Sequence, residues 1–460
     1  MLTMTTTAAP TLVTLADVAA LAHVQRPVVS VWRTRAAGSD APFPPVALRH
    51  GRQELFPLAD VVSWLELTGR GNNPEARQDA SLVAALDALP EADLPTAVDG
   101  LLALLALKTV LGTAPSGLDP QDVLDLADDV DPHDLCLHRE LSALGGDVVP
   151  WAEHADAVAA AAYTPAAAVA ALLAQHRRLG LAAVSATVLA DAATGLVARL
   201  VTDLCDEPGD NEAADAVPRD DEPRGALRGR ALEARSGSAR APLVDPTGSG
   251  DLLPAIAALR DEPGVVQIPT LTSADARRAR RLLLAAGWDV REAALDDGLV
   301  QPPAGATVVA HFPSPTRPAM TDAQVVEAVA GIAATLPVDA HAVVLGPASA
   351  LTNRLPAGLQ SARATTLRSG RVRAVVRLPA GLWPAQSRRE LAVWVLGPGP
   401  SDVRREDHRT ALADMTVVPL DAATVEDLLT DLVAALGPGD ALRAHAFRFV
   451  QLAVTQSVIA

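Results

Sequence analysis

The sequence has few of the residues that build disulfide frameworks, cysteine-rich metal sites or membrane spans. Two cysteines, Cys136 and Cys205, occur in 460 residues, which excludes a disulfide framework and a cysteine-rich zinc site and indicates a reducing compartment. Runs of apolar residues long enough to span a bilayer are missing, because Pro165 interrupts the alanine-rich stretch 158–173. The first residues lack the basic segment of a secretion signal. We therefore expect a cytoplasmic protein without membrane contact.

The negative charge is concentrated in the middle of the chain. The net charge is −17, and residues 79–222 alone contain 26 acidic and 6 basic residues, a net charge of −20. This balance argues against indiscriminate nucleic-acid binding by the chain as a whole. It leaves the nearly neutral ends able to contact a polyanion locally.

The pattern along the chain predicts a multidomain α + α/β protein. Its length accommodates two to four domains. Apolar spacing and composition divide it into a compact unit, an acidic all-helical domain, a disordered linker, an α/β domain with a mostly parallel sheet and a C-terminal helical extension of that domain. The predicted boundaries are 11–70, 79–205, 206–242, 243–400 and 401–460.

The stretch "TLADVAALAHVQRPVVSVWRTR" predicts two helices joined by a tight turn at His23 and Val24. Apolar residues mark the inner faces, namely Leu15, Val18, Ala19 and Leu21 on the first helix and Val28, Val29 and Trp32 on the second. The following "PVALRHGRQELF" predicts a hairpin with its turn at His50-Gly51, and "LADVVSWLELTGR" a supporting helix.

This unit resembles winged helix-turn-helix domains of the MerR type. The resemblance implies binding of double-stranded DNA, with the second helix and the hairpin offering polar side chains to a groove and to phosphates. The candidate DNA-binding residues are Gln25, Arg26, Ser30, Arg33, Arg35, Arg49 and Arg52. We expect Arg33→Ala to weaken duplex binding and to flatten its salt dependence. Two alternatives remain. The same fold could dock another protein, or the arginines could be solvated surface residues without a binding role.

A glycine-rich loop opens the α/β region in "VDPTGSGDLLPAIAALR", residues 244–260. Glycines let a backbone approach a ligand closely, and the free N–H groups of a first helical turn attract a negative group. "DPTGSGD" resembles the signature of adenine-N6 DNA methyltransferases, especially the modification subunits of type I restriction systems. The resemblance implies S-adenosylmethionine as the cofactor, held by Asp245, Pro246, Gly248, Ser249 and Gly250, with Asp296 at the adenine ring.

The end of the α/β region extends this resemblance. "VRAVVRLPAGLWPAQSRRELAVWVLGPG" is similar to the late strand pair of the same family. The family then implies a C-terminal Rossmann-like methyltransferase sheet after the helix-turn-helix and helical domains. A sequence-reading domain of the family kind is not recognisable. The choice of DNA target would therefore fall to the helix-turn-helix or to a partner, either another subunit or a second copy of the chain.

The sequence departs from the family at two places that carry chemistry. The second strand of the region, in "GVVQIPTLTSADARRARR", has no carboxylate to bind the cofactor ribose. The Asn-Pro-Pro-aromatic catalytic motif is replaced by His311, Phe312, Pro313 and Ser314. An imidazole lacks the carbonyl of an amide, and a serine has no face on which a flipped base can stack.

Two hypotheses follow from these departures. One is a DNA-binding protein of the methyltransferase family that is catalytically degenerate, and the other is an active adenine-N6 DNA methyltransferase of a restriction-modification or phage-defence system. A metal site at His133, Cys136 and His138 lacks a fourth ligand, so we expect no metal. A hydrolase centred on Ser249 lacks the full G-x-S-x-G elbow.

Overall fold

The protein folds as two compact units, residues 1–179 and 180–460. The structure, a computed structural model, describes residues 11–51, 53–74, 76–87, 94–145, 148–178, 187–206, 242–260, 263–398, 408–437 and 445–459. Arg52 and residues 207–241 of the predicted linker lie outside these ranges. No helix within them is both long and apolar enough to cross a bilayer.

The N-terminal unit begins with a small antiparallel sheet and three helices. The strands lie in the order β1-β3-β2, and the helix α1 begins at a capping box in which Thr14 and Asp17 satisfy each other's backbone N–H groups. The elements are β1 (Leu12–Val13), α1 (Leu15–Leu21), α2 (Arg26–Ala36), β2 (Leu48–His50), β3 (Gln53–Pro57) and α3 (Leu58–Thr68).

Aromatic side chains form the core of this part. The rings of Phe43 and Trp64 meet edge to face with 4.9 Å between centroids, and Phe43 meets Phe56 at 5.3 Å. The predicted hairpin forms, although its two-residue loop begins at Gly51 because His50 pairs with Gln53. The prediction that Val28 faces inward is wrong, since it is 38% exposed, whereas the neighbouring Val29 is fully buried.

Helices make up the rest of the N-terminal unit. The central helix α5 is apolar on all sides, as in its run "LLALLAL", and residues 101–107 are buried among the other helices. The helices are α4 (Ala76–Asp87), α5 (Leu94–Leu111), α6 (Pro120–Val130), α7 (His138–Ser142), α8 (Val149–Ala161) and α9 (Pro165–Arg178). Helix α4 adds Ala76 and Ala80 to the core around Trp64, so the helices and the small sheet share one compact unit.

A nine-stranded mixed sheet is the centre of the C-terminal unit. The strands lie in the order β14-β13-β11-β12-β10-β9-β4-β5-β6. All pairs from β10 to β6 are parallel, and β12 is antiparallel to both of its neighbours. These strands are β4 (Leu243–Val244), β5 (Val265–Ile268), β6 (Asp289–Glu292), β9 (Thr307–His311), β10 (His341–Pro347), β11 (Val372–Arg377), β12 (Leu391–Leu396), β13 (Arg409–Asp414) and β14 (Val450–Val454).

Both faces of this sheet are covered, which explains why its central strands are apolar throughout. Alternate residues of one strand enter different cores: Val343 and Leu345 lie on one face, and Ala342 and Val344 on the other. The helices are α10 (Asp191–Asp206), α11 (Leu253–Ala257), α12 (Ala274–Ala285), α13 (Asp322–Thr335), α14 (Ala348–Leu351), α15 (Ala357–Arg368), α16 (Ala422–Leu436) and α17 (Thr455–Ile459). A small exposed hairpin, β7 (Leu295–Asp296) and β8 (Leu299–Val300), lies beside α13.

The structure corrects two predicted domain boundaries. The helix α10 was expected in the acidic helical domain 79–205, but its Leu196, Val197 and Val201 pack into the core of the C-terminal sheet. Residues 401–460 were expected to form a helical extension. They instead supply two strands, β13 and β14, to the sheet, because "RTALAD" buries Thr410, Ala411 and Ala413 and pairs in parallel with β11.

Candidate functional site

The glycine-rich loop is a compact turn organised by the carboxylate of Asp245. This residue directly follows β4. Its Oδ1 accepts hydrogen bonds from the backbone N–H and the hydroxyl of Thr247, at 2.8 and 2.6 Å. Its Oδ2 accepts one from the N–H of Gly250 at 2.6 Å. One carboxylate thus closes the turn from Asp245 to Gly250, which we call the glycine turn.

The other N–H groups of the glycine turn are also bound within it. Gly248 donates to the carbonyl oxygen of Asp245 at 3.2 Å, and Ser249 donates to Thr247 Oγ1 at 3.2 Å. The four consecutive N–H groups from Thr247 to Gly250 therefore all have acceptors inside the turn. An anion site at a loop needs N–H groups that point toward the ligand, and α11, which follows, has only five residues.

The space above the two glycines is occupied by side chains. Both have positive φ angles of 61°, a conformation that glycine adopts without cost. A Cβ atom at Gly248 would lie 3.2 Å from Leu271 Cδ1, and one at Gly250 would lie 3.1 Å from three carbon atoms of Leu283. The glycines permit close packing against α12 and the loop before it. Together with the missing acid at the end of β5, this packing does not fit S-adenosylmethionine.

The charges around the glycine turn are negative. Burial raises the pKa of Asp245 to about 6, helped by the charge of Asp251 and opposed by the hydrogen bonds from Thr247 and Gly250. Ser249 Oγ donates to Asp251 Oδ1 at 2.6 Å. A negatively charged group would meet the two carboxylates of Asp245 and Asp251 here.

The residues at the position of the catalytic motif pack against this turn. The Nδ1 atom of His311, at the end of β9, lies 2.6 Å from Asp251 Oδ2, so this nitrogen carries the proton. The opposite atom, Nε2, is buried and has no hydrogen-bond partner among the described residues. The imidazole lies edge-on to Trp383, with 6.4 Å between ring centroids. His311 therefore links β9 to the turn rather than facing solvent.

The three residues after His311 are buried as well. The Phe312 ring is 4% exposed and belongs to the apolar core on one face of the sheet. Its peptide bond to the buried Pro313 is cis. Ser314 is fully buried and its hydroxyl lies 2.9 Å from that of Thr316. In this conformation a flipped base can reach none of the four predicted catalytic side chains.

Thr316 connects the segment after β9 with the glycine turn. Its hydroxyl donates to the carbonyl oxygen of Thr247 at 2.7 Å, so Thr316 fixes the segment after β9 to the glycine turn, and His311 fixes the end of β9 to Asp251 next to the turn. The predicted cofactor residue Asp296 lies elsewhere, exposed in the β7–β8 hairpin. Pro246 is half-buried at the start of the turn. Of the predicted site residues, the fold thus brings together Asp245, Gly248, Ser249, Gly250 and His311. Asp296 lies apart from them.

The predicted DNA-binding residues of α2 and the hairpin form the second candidate site. Gln25, Arg26, Ser30 and Arg35 are exposed on or next to α2, and Arg49 is exposed on β2. Arg33 is half-buried and binds Glu54 Oε2, while Arg49 binds Glu54 Oε1 at 2.9 Å. These guanidinium groups, Arg33 above all, hold the pKa of Glu54 below its ordinary value. One carboxylate therefore connects α2 with the hairpin.

Sequence reasoning missed the residues that complete each site. Asp251 is the last residue of the quoted "DPTGSGD", and a carboxylate next to a glycine turn is a signal that could have been weighed. Glu54 and Thr316 were missed, because the partners that make them informative, Arg33 and Thr247, are distant in sequence. Near the rejected metal site, Asp131 accepts the N–H groups of residues 135–137, and His138 Nδ1 lies 2.6 Å from Asp128. No metal-binding cluster occurs among the described residues.

Comparisons with known proteins give fold-level likenesses only. No protein-family model and no curated protein matches this chain. One similar solved structure is the methyltransferase subunit of a type I restriction-modification system from Streptococcus thermophilus, with 11% identity over 87% of this chain and 85% of that chain and a TM-score of 0.43. Another, from a study of the type I restriction-modification system, has 13% identity over 83% of this chain and 88% of that chain and a TM-score of 0.48.

These identities and TM-scores leave the function to be inferred from the chain itself. Its large, mostly parallel sheet, in which β12 is antiparallel to both of its neighbours, is consistent with a Rossmann-like fold. The glycine turn lies at the carboxyl end of β4, the edge at which open α/β sheets bind ligands. The location therefore matches the expected cofactor site, whereas the hydrogen bonding and packing do not.

Proposed function

We propose that this chain is a DNA-binding protein of the adenine-N6 DNA methyltransferase type whose methyl-transfer site is closed. The observation that carries the proposal is the internal bonding of the glycine turn, in which the N–H groups of residues 247–250 all have acceptors within the turn. The burial of His311 and Ser314 supports the same conclusion for the target base. Neither S-adenosylmethionine nor the target base therefore has an accessible binding surface.

DNA binding is assigned to α2 and the adjoining hairpin. Two short helices joined by a tight turn and followed by a hairpin have the geometry in which a second helix enters the major groove and a wing meets the backbone. The arginines Arg26 and Arg35 on α2 and Arg49 on β2 are exposed, so they are able to contact phosphates. A partner subunit or a second copy of the chain would extend the length of DNA that is contacted.

The experiment that tests DNA binding is fluorescence anisotropy with a labelled duplex over a range of salt concentrations. We expect Arg26→Ala and Arg35→Ala each to weaken binding and to reduce the salt slope by about one. Arg33→Ala should weaken binding too, but it also removes the contact with Glu54, so it is the less specific variant. The control is Arg291→Ala, an exposed arginine on β6. Equal binding by Arg26→Ala, Arg35→Ala and the control would contradict the assignment.

A second function is favoured by one observation. The "DPTGSGD" loop lies at the ligand-binding edge of the sheet, as an active adenine-N6 DNA methyltransferase requires. Activity would need the glycine turn to open and Leu271, which is 37% exposed, to move away from Gly248. S-adenosylmethionine binding measured by calorimetry separates the two functions. The closed turn predicts no heat of binding, and the active enzyme predicts saturable binding.

A further inference from the structure

A cavity of about 400 Å³ lies in the C-terminal unit, near the ends of β11 and β13. Apolar side chains of Leu367, Val375 and Phe449 form much of its wall. In the strand order, β12, β10 and β9 separate β11 from β4, so the cavity is distinct from the glycine turn. Its volume is in the range of sites that hold small molecules, roughly 300–1,000 Å³.

The cavity is lined by a tryptophan whose indole N–H has no acceptor. Trp394, on β12, is 1% exposed, and its Nε1 atom has no hydrogen-bond partner among the described residues. Buried donors of this kind are rare because they lose the hydrogen bond that water would supply. The nitrogen itself is enclosed by the surrounding protein, so the indole offers a ligand in the cavity its ring rather than a hydrogen bond.

A buried guanidinium group lines the same cavity. Arg363, on α15, is 6% exposed and donates to the carbonyl oxygen of Ala350 at 3.0 Å and to Gln360 Oε1 at 2.9 Å. Both acceptors are neutral, and no carboxylate of the described residues lies within ion-pair distance of Arg363. Burial lowers the pKa of this side chain. A buried positive charge without a counter-charge favours an anion.

The second arginine of the cavity is already paired. Arg377 binds Glu390 Oε2 at 3.0 Å and Asp414 Oδ2 at 3.3 Å. Asp414 lines the cavity too, and the hydroxyl and backbone N–H of Thr416, together with Arg377, keep the pKa of Asp414 below its ordinary value. This end of the cavity therefore repels an anion. The negative group of a ligand belongs beside Arg363, and a highly charged ligand such as a phosphate is disfavoured.

We propose that this cavity binds a small organic carboxylate. The apolar body of the ligand packs against Leu367, Val375 and Phe449, and its carboxylate accepts hydrogen bonds from Arg363. The site combines an apolar wall with a few polar groups that fix the orientation of the ligand, as small-molecule sites commonly do. It is independent of DNA binding and of the state of the glycine turn.

The test measures binding of 2-naphthoate, its neutral amide 2-naphthamide, octanoate and inorganic phosphate to the full chain by calorimetry. We expect saturable binding of at least one carboxylate, with 2-naphthoate tighter than 2-naphthamide by about tenfold or more, because a charge-assisted hydrogen bond is stronger than a neutral one. Failure of both carboxylates to bind would overturn the proposal. Equal affinity for 2-naphthoate and its amide, or a preference for phosphate, would do so as well.

Variants locate the binding. Arg363→Gln removes the charge and should abolish the preference for 2-naphthoate over its amide. The matched control is Arg368→Gln, an exposed position on the same helix, which should keep that preference. If both variants lose it equally, the assignment of Arg363 is wrong.

A second readout does not depend on the folding of the Arg363 variant. The chain has six tryptophans, and incorporation of 5-fluorotryptophan gives each a ¹⁹F resonance, with Trp394→Phe assigning that of Trp394. Titration with 2-naphthoate should shift the Trp394 resonance more than that of Trp288, whose buried indole lies in the core on the other face of the sheet. A response at Trp288 that equals or exceeds the response at Trp394 would overturn the proposal.

Discussion

The glycine turn and the surface of α2 both look functional in the sequence, but their polar groups have different partners. In the turn, four N–H groups, one carboxylate and two hydroxyl groups bind one another, and Gly248 and Gly250 are buried. On α2, Arg26 and Arg35 are exposed. A group that is satisfied inside the fold has little to offer a ligand. Solvent-exposed arginines near a hairpin can still meet a phosphate backbone.

The largest expected effect concerns the packing of the glycine turn. Gly250→Ala should destabilise the C-terminal unit by about 2–5 kcal/mol, because a left-handed backbone costs about 1–2 kcal/mol for alanine and overpacking against Leu283 costs about 1–3 kcal/mol. Denaturant unfolding measures the change. The control Gly298→Ala also has a positive φ, of 74°, but its added Cβ would contact nothing within 4 Å. Equal losses in the two variants would show that Gly250 faces open space, as a cofactor site requires.

The next effect concerns the buried carboxylate of the turn. The pKa of Asp245 is about 6 in the folded chain and near 3.8 when the chain is unfolded, so the folded state binds more protons between these values. The stability that this proton contributes is fully present below about pH 4 and is lost as the pH rises through 6. The total change is about 3 kcal/mol.

Unfolding measured from pH 4 to pH 7 tests this sign. Asp245→Asn, whose amide does not titrate, should lose this pH dependence. Asp296→Asn, in the exposed hairpin, should keep the pH dependence of the wild-type chain. If the stability of the wild-type chain relative to Asp245→Asn instead rises with pH, Asp245 lies in a solvated, open turn.

A smaller effect should appear on the α2 surface. Glu54→Gln removes the carboxylate that binds Arg33 and Arg49, and we expect it to strengthen duplex binding several-fold and to steepen the salt dependence. Glu66→Gln is the matched control, since Glu66 on α3 also binds an arginine, Arg77. Anisotropy titrations compare the two variants. A weaker or unchanged complex with Glu54→Gln would indicate that this surface is not the DNA-binding one.

Local patterns predicted much of the fold. The helix spacing and the "RHGR" turn located α1, α2 and the hairpin, and short apolar runs located most strands of the large sheet. Val28 was misassigned, because it lies about 100° around α2 from the buried Val29 and falls on the exposed side of the helix. The strands β13 and β14 were missed, since their sequences are short and part of each is polar.

The state of the candidate site could not be predicted in the same way. The sequence identified the glycine turn and His311 as candidates, but whether the turn is open depends on contacts across 60 or more residues, such as Asp251 with His311 and Thr247 with Thr316. Leu283, which fills the space over Gly250, belongs to a helix that gave no functional signal. A motif therefore indicates residue types, and the packing around it decides whether they are available.

The most direct measurement of the central claim is transfer of a tritiated methyl group from S-adenosylmethionine to genomic DNA from an unmethylated host. It is made with a preparation that is shown to bind duplex DNA in the same buffer. A closed glycine turn and a buried His311 predict retained DNA binding with no incorporation of tritium. Incorporation that depends on the added protein and disappears in His311→Ala would contradict the account.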